Sequence, residues 1–296
     1  MKKSLSQLVS EGKTLISDGA WGTFLQAKGL QPGECPEQWN IDRPADVLDI
    51  ARSYIAAGAD TIETNSFGGN RFKLSAYGLE NSVYVINKAA AALSRQAAGD
   101  EKYVLGSVGP TGKLLMMGDV TEEELYEAFK EQSIALSDGG ADAIVIETMT
   151  ALDEATIAVR AARENTSCEV ICTMTFDQTP TGEFRTMMGV SPAEMVEELK
   201  SAGAHIIGAN CSNGIAGMVK ITEEIRAVDA QIPILIHANA GMPIYQDGKT
   251  VFPESPEMMA CVAPQLQRAG ANIIGGCCGT TPEHISQLAA SLRSLQ

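Results

Sequence analysis

The chain has 296 residues, 37 acidic and 22 basic, for a formal net charge of −15, a balance that disfavours nonspecific nucleic-acid binding, which needs a basic surface. No apolar run approaches the roughly 18 residues of a membrane helix, and the opening Met1-Lys2-Lys3-Ser4-Leu5-Ser6-Gln7 is too poor in apolar residues for a signal peptide. Seven cysteines, an odd number without an export signal, point to a reducing cytoplasm and free thiols.

The first strand-like run, 15–18, ends at Asp18 and leads into Gly19-Ala20-Trp21-Gly22-Thr23. A second at 61–64 is followed by Asn65, and a third at 103–106 by Ser107, Gly109 and Pro110. After a long loop at 111–119, the capping box Thr121-Glu122-Glu123-Glu124 opens a helix. The fourth run, 143–147, ends at Glu147 and Thr148; the fifth, 169–174, precedes a second long loop at 177–189. Ser191-Pro192-Ala193-Glu194 then starts a helix with proline at its first position. The sixth run, 205–208, leads to Asn210 and Cys211, and the seventh, 234–237, to Asn239 and a third long loop at 241–254. Ser255-Pro256-Glu257 opens another helix, the eighth run, 272–275, leads to Cys277-Cys278, and Thr281-Pro282-Glu283 begins the last helix.

Four segments repeat one pattern, at 56–62, 138–144, 201–207 and 268–274. Each joins the end of an amphipathic stretch to an apolar run through Gly58, Gly140, Gly203 or Gly270, and glycine there suits a helix C-terminus. Eight strands alternating with helices over this length predict one (β/α)8 TIM barrel spanning 1–296. A doubly wound sheet is the rival, but no Gly-x-Gly-x-x-Gly opens the first helix.

In such a barrel the functional rim lies at the strand C-termini. That rim collects Asp18, Glu63, Asn65, Glu147, Asn210 and Asn239 beside Cys211, Cys277 and Cys278. Strands six and eight flank strand seven, so the three thiols meet at one mouth. Three thiolates make a soft, open Zn2+ site with a fourth position left for a substrate; the rival readings of Cys277-Cys278 are a vicinal disulfide and plain burial. Cys168, Cys172 and Cys261 are read as core residues, and His205, His237 and His284 as structural. The carboxylates of Asp18, Glu63 and Glu147 suit a substrate ammonium group. The amides from Asp18 through Gly19 to Thr23 suit a carboxylate. Together these read an amino acid carrying a thiol. No lysine ends a predicted strand, which argues against Schiff-base chemistry. A non-catalytic thiol-binding protein is the alternative from another class.

The motifs Asp18-Gly19-Ala20-Trp21-Gly22-Thr23, Glu63-Thr64-Asn65-Ser66-Phe67, Gly106-Ser107-Val108-Gly109-Pro110-Thr111-Gly112, Glu147-Thr148-Met149, Asn210-Cys211 and Gly275-Gly276-Cys277-Cys278-Gly279 resemble those of the zinc-dependent homocysteine S-methyltransferases. The likeness is closest to the N-terminal homocysteine-binding module of cobalamin-dependent methionine synthases and spans nearly the whole chain. It implies zinc on Cys211, Cys277 and Cys278, with Asn239 a further oxygen ligand when substrate is absent. It also implies that Asp18, Glu147 and the neighbouring backbone hold the substrate's amino-acid end, and that methyl transfer to homocysteine gives methionine; Glu63, Asn65 and Asn210 are expected beside them from their place on the rim. Trp21 departs from the methionine usual in the family, and Ser66 from the usual threonine. No Asp-x-His-x-x-Gly corrinoid signature occurs before Gln296. No other tightly bound cofactor is therefore expected; the methyl donor is expected to be a small molecule or a separate corrinoid protein. In the second case the chain would be one component of a corrinoid-dependent system acting on another small molecule.

Overall fold

A computed structural model describes residues 2–246 and 248–294. Eight parallel strands form one sheet: β1 (Leu15–Ile16), β2 (Thr61–Glu63), β3 (Tyr103–Val108), β4 (Ala143–Met149), β5 (Glu169–Met174), β6 (Ile206–Gly214), β7 (Ile234–Asn239) and β8 (Ile273–Gly276). Their order is β1-β8-β7-β6-β5-β4-β3-β2, which curls round until β1 faces β2. This is the expected TIM barrel.

No ladder joins β1 to β2. The seam is closed instead by the Asp60 N–H donating to Ile16 O (2.7 Å) and by two carboxylates. Asp60 Oδ2 accepts from the Ile16 N–H at 3.1 Å, and Asp18 Oδ2 from the Glu63 N–H at 2.9 Å.

The inside of the barrel is layered. Leu15, Leu105, Val145, Ile171, Ile206, Leu235 and Ile273 form an apolar plug, capped from below by Leu5 and Leu8 of the helix Leu5–Ser10. Glu169 anchors that helix by accepting the N–H groups of Leu5 and Ser6. Side chains alternate along a strand, so further along the inward face becomes polar: Ser17, Ser107, Glu147, Thr173 and His237 stand two residues beyond plug positions, Asn210 four beyond Ile206, and Glu63 two beyond Thr61. All seven are buried. The plug therefore ends where the chemistry begins.

Outside, helices pack their apolar stripes on the sheet. Thr121 makes the predicted capping box, Ser191 makes another at its predicted helix start, and Ser255 accepts from the Met258 N–H. Gly58, Gly140, Gly203 and Gly270 all have φ between 104 and 114°, the left-handed conformation required where each repeated helix turns back into a strand.

The strand limits differ from expectation at two places that matter. Strand β6 starts at Ile206, leaving His205 just ahead of it, and runs to Gly214. Its register with β7 shifts between Asn210 and Gly214, where Cys211 and Ser212 have φ 62° and 54°. Two of the three long loops fold into antiparallel ribbons, Asp177–Gln178 with Phe184–Arg185 and Ile244–Gln246 with Lys249–Val251; Asp247 lies outside the described residues, as does the terminal Gln296. The third loop carries the short helical turn Leu115–Met117. Cys168 and Cys172 are buried as expected, but Cys261 is exposed. Its helix, Pro256–Ala269, buries Met259, Ala263 and Leu266, and a residue two positions from Met259 falls on the opposite face. No helix among the described residues is long and apolar enough to cross a membrane.

Candidate metal and substrate site

The strand C-termini surround a cavity of ≈ 260 Å³. Of the residues expected at the site, Gly19, Thr23, Glu63, Asn65, Glu147, Cys211, Cys277 and Cys278 line it. Asp18, Asn210 and Asn239 do not; they stand behind its wall.

The three thiol sulfurs lie within 4.8 Å of one another. All seven cysteines are free thiols, so Cys277 and Cys278 form no vicinal disulfide. The backbone of β7 grips the Cys277-Cys278 turn on both sides of Asn239. Cys277 N–H donates to Ala238 O (2.7 Å), and Ala240 N–H to Cys278 O (3.0 Å). Phe252, from the β7 loop, packs where a Cβ on Gly279 would stand, which seats that loop on the turn.

Hydrogen bonding couples the three thiols. Hydrogen bonds from the Cys277 and Cys278 thiols, helped by the Ser212 N–H and the Asn239 side chain, push Cys211 down to about 3. Hydrogen bonding to Cys211, reinforced by burial, in turn raises Cys277 and drives Cys278 up to about 12. The Cys211 thiolate is thus favoured over those of Cys277 and Cys278. Asn239 Oδ1 is buried with no hydrogen-bond partner, an oxygen left over beside three soft sulfurs. Three thiols, a nearby amide oxygen and a cavity on one side fit an open zinc site.

The carboxylates form the other half. Glu147 accepts from the Ser107 hydroxyl and, at 3.3 Å, from Asn210 Nδ2. Glu63 Oε1 is buried without a hydrogen-bond partner, 3.4 Å from His237 Nδ1. Burial pushes Glu63 up to about 8, and burial reinforced by the Glu63 charge pushes Asp18 up to about 7. The same two causes raise Glu147. Burial thus favours the neutral forms of all three groups, and an ammonium would relieve them.

Asp18, expected among the substrate contacts, has its carboxylate occupied by Trp21 Nε1 (2.9 Å), the Glu63 N–H and the Ser17 hydroxyl. It holds Trp21 at the cavity wall and closes the barrel seam. Asn65 lines the cavity, yet its Nδ2 donates to Pro36 O and Asn40 Oδ1. Among the N–H groups of the 19–23 segment, that of Ala20 is taken by Thr280 Oγ1. Gly19 is required where it stands, because an added Cβ would meet Thr280 Oγ1 at 2.7 Å and Tyr54 at 2.9 Å.

Of the three histidines, two are structural. His205 Nδ1 accepts from the Val170 N–H, and His284 bonds Thr281 and Glu254 O at a helix start. His237, also read as structural, faces the cavity. It lines the cavity beside Glu63, its ring resting against Gly275, and its Nε2 has no partner. Its parity with Leu235 was the signal: two residues beyond a plug position, a side chain faces the barrel centre.

The raised acids give a testable pH dependence. Unfolded carboxyls ionise near pH 4, whereas the fold keeps the Asp18 proton to about 7 and the Glu63 proton to about 8. Between those limits the native state binds more protons, so this contribution to stability falls as pH rises from about 4 to about 8 and is level above that. Asp18→Asn keeps an acceptor for Trp21 and Glu63 and removes its share. The drop in Tm between pH 5 and pH 8 should shrink by several degrees in this variant; an unchanged drop would assign it to other groups.

A family model described as homocysteine S-methyltransferase matches residues 15–292. Methionine synthases of Mycobacterium tuberculosis and Mycobacterium leprae are each 32% identical to the chain over 96% and 95% of its length. The chain spans about a quarter of those relatives, 25% and 24%. Among solved structures, the homocysteine methyltransferase MmuM from Escherichia coli in its metallated form superposes with a TM-score of 0.78 at 23% identity, covering 97% of this chain and 99% of that one. A carboxyl transferase domain of Rhizobium etli pyruvate carboxylase gives a TM-score of 0.54 at 16% identity, over 99% of this chain and 52% of that one. The two structural likenesses speak for the barrel.

Proposed function

The chain belongs to the homocysteine S-methyltransferase family, and on that premise we propose that it is a zinc-dependent enzyme that methylates L-homocysteine to methionine. The carrying observation is that three clustered thiols and two buried carboxyl groups, Glu63 and Glu147, line one cavity. Cys211, Cys277 and Cys278 would hold zinc, with Asn239 Oδ1 as a further donor, and the bound metal would keep a substrate thiol deprotonated at neutral pH.

The chain's own side chains supply the rest. Glu63 and Glu147 receive the substrate ammonium, which offsets their desolvation. Backbone N–H groups in the segment from Gly19 to Thr23 face the substrate carboxylate, where glycine permits close approach. Trp21, tied to Asp18, and Phe67, packed where a Cβ on Gly109 would stand, form apolar walls of the cavity. The substrate sulfur attacks the donor's methyl carbon. The new C–S bond forms as the donor–methyl bond breaks, and the bonding pair leaves with the donor. We further propose that residues 1–296 act as one homocysteine-binding unit in a reducing cytoplasm.

A second reading makes the protein a partner of a separate corrinoid protein, moving methyl groups to or from another small molecule. It is favoured by the exposure of Met116, Met117 and Met187 on two loops following barrel strands, adaptable apolar side chains suited to a transient partner.

Zinc content and methionine formation, with S-methylmethionine and methylcobalamin compared as donors, test both readings. Stoichiometric zinc and turnover with S-methylmethionine are expected from a self-sufficient enzyme. Turnover with methylcobalamin alone favours the corrinoid partner. A zinc-loaded protein that methylates homocysteine from neither donor overturns the first reading.

A further inference from the structure

Asn210 stands between the two halves of the site. A primary amide has two N–H donors and two acceptor lone pairs, and Asn210 uses all four. Its Oδ1 accepts from the Thr148 N–H at 2.8 Å and from the Thr173 hydroxyl at 2.7 Å. Its Nδ2 donates to Thr148 Oγ1 at 2.7 Å and to Glu147 Oε2 at 3.3 Å. The side chain is fully buried and absent from the cavity lining. No capacity is left for a ligand.

We infer that Asn210 is a positioning residue: it fixes the Glu147 carboxylate for recognition of the substrate's ammonium group and does not touch substrate itself. The inference rests on the amino-acid thiol reading above. Asn210 holds Glu147 in two ways. One is the direct bond to Oε2, which works with the Ser107 hydroxyl on Oε1 so that a neutral donor engages each carboxylate oxygen. The other is through the main chain. Thr148 is a β-branched residue at φ 60°, a conformation that such residues avoid unless their surroundings impose it. Asn210 binds both its N–H and its hydroxyl, which fixes the peptide directly after Glu147. A carboxylate set in this way can discriminate a thiol that carries an ammonium from one that does not.

Asn210→Asp is the selective test. It retains an oxygen for Thr148 N–H and Thr173, and replaces the Nδ2 donor with an oxygen facing Glu147. Zinc-loaded wild type and variant would be titrated with L-homocysteine and with 4-mercaptobutyrate, the same thiol acid without its amino group, and assayed for turnover. The variant should keep stoichiometric zinc and show a KM for homocysteine raised about 10- to 100-fold, as for loss of a hydrogen bond to a charged group. Saturated kcat should change little, and so should 4-mercaptobutyrate binding. Equal weakening of both thiols, or loss of zinc, would overturn the inference and make Asn210 a support for Cys211 alone. The amino-acid thiol reading fails separately, in the wild type, if that protein does not prefer homocysteine over 4-mercaptobutyrate.

Discussion

Cys211→Ala should yield a folded protein with less than stoichiometric zinc and methionine formation slowed at least about a hundredfold. Losing a residue that merely supports a metal ligand costs up to about a hundredfold, and Cys211 is placed as a ligand itself. Its thiolate is the one that the surroundings favour, through the Cys277 and Cys278 thiols, the Ser212 N–H and Asn239. Removing it leaves a site short of one donor. Unassisted homocysteine would react through the few per cent of thiolate that a thiol of pKa about 8.5 offers at neutral pH. Cys278→Ala should behave alike. Cys261→Ala is the control, since that thiol is exposed and outside the cluster. Metal analysis, circular dichroism and turnover on the same samples separate loss of metal from loss of fold. Full activity in metal-free Cys211→Ala would end the zinc assignment.

Gly208→Ala should fail to fold at ordinary temperature. An added Cβ would lie 1.7 Å from Leu235 O and 2.7 Å from the carbonyl carbon of the same residue. Both belong to the backbone of β7, and Gly208 and Leu235 are direct partners in the β6–β7 ladder. No rotamer relieves such a clash, so the strands must separate. The cost should exceed about 4–5 kcal/mol, a large part of a typical stability of about 5–15 kcal/mol. Gly182→Ala separates sterics from backbone conformation: Gly182 has φ +89° but open space around it. It should cost only about 1–2 kcal/mol. Soluble yield and chemical denaturation would register the contrast. A well-folded Gly208→Ala would mean that β6 and β7 are not packed as described.

The barrel was legible because its signals are local. Apolar runs, helix caps at Thr121, Ser191 and Ser255, and glycines at helix ends recur at intervals that only a βα repeat explains. Cysteines after strands six and eight then place themselves at one mouth. The roles of Asp18 and Asn210 were not legible. Both look like free polar residues at strand ends, and only the three-dimensional neighbours reveal that their hydrogen bonds are occupied. The left-handed turns at Thr148, Cys211 and Ser212 have no local cue either, since none is glycine; tertiary contacts impose them. His237 could have been found by continuing the alternation of β7 past Leu235. Cys261 misled because cysteine counts as apolar even on the wet face of a helix.

The seam between β1 and β2 has a consequence for solubility. Where a ladder does not close a sheet, two strand edges remain, and bare edges recruit strands from other chains. Here both are very short, and Asp18 and Asp60 lie across them, taking up Ile16 and Glu63 N–H groups that a foreign strand would otherwise seek. Lys102 and Arg293 crowd the same place through their ion pairs with Asp60. The clasp that completes the barrel is therefore also its guard against self-association.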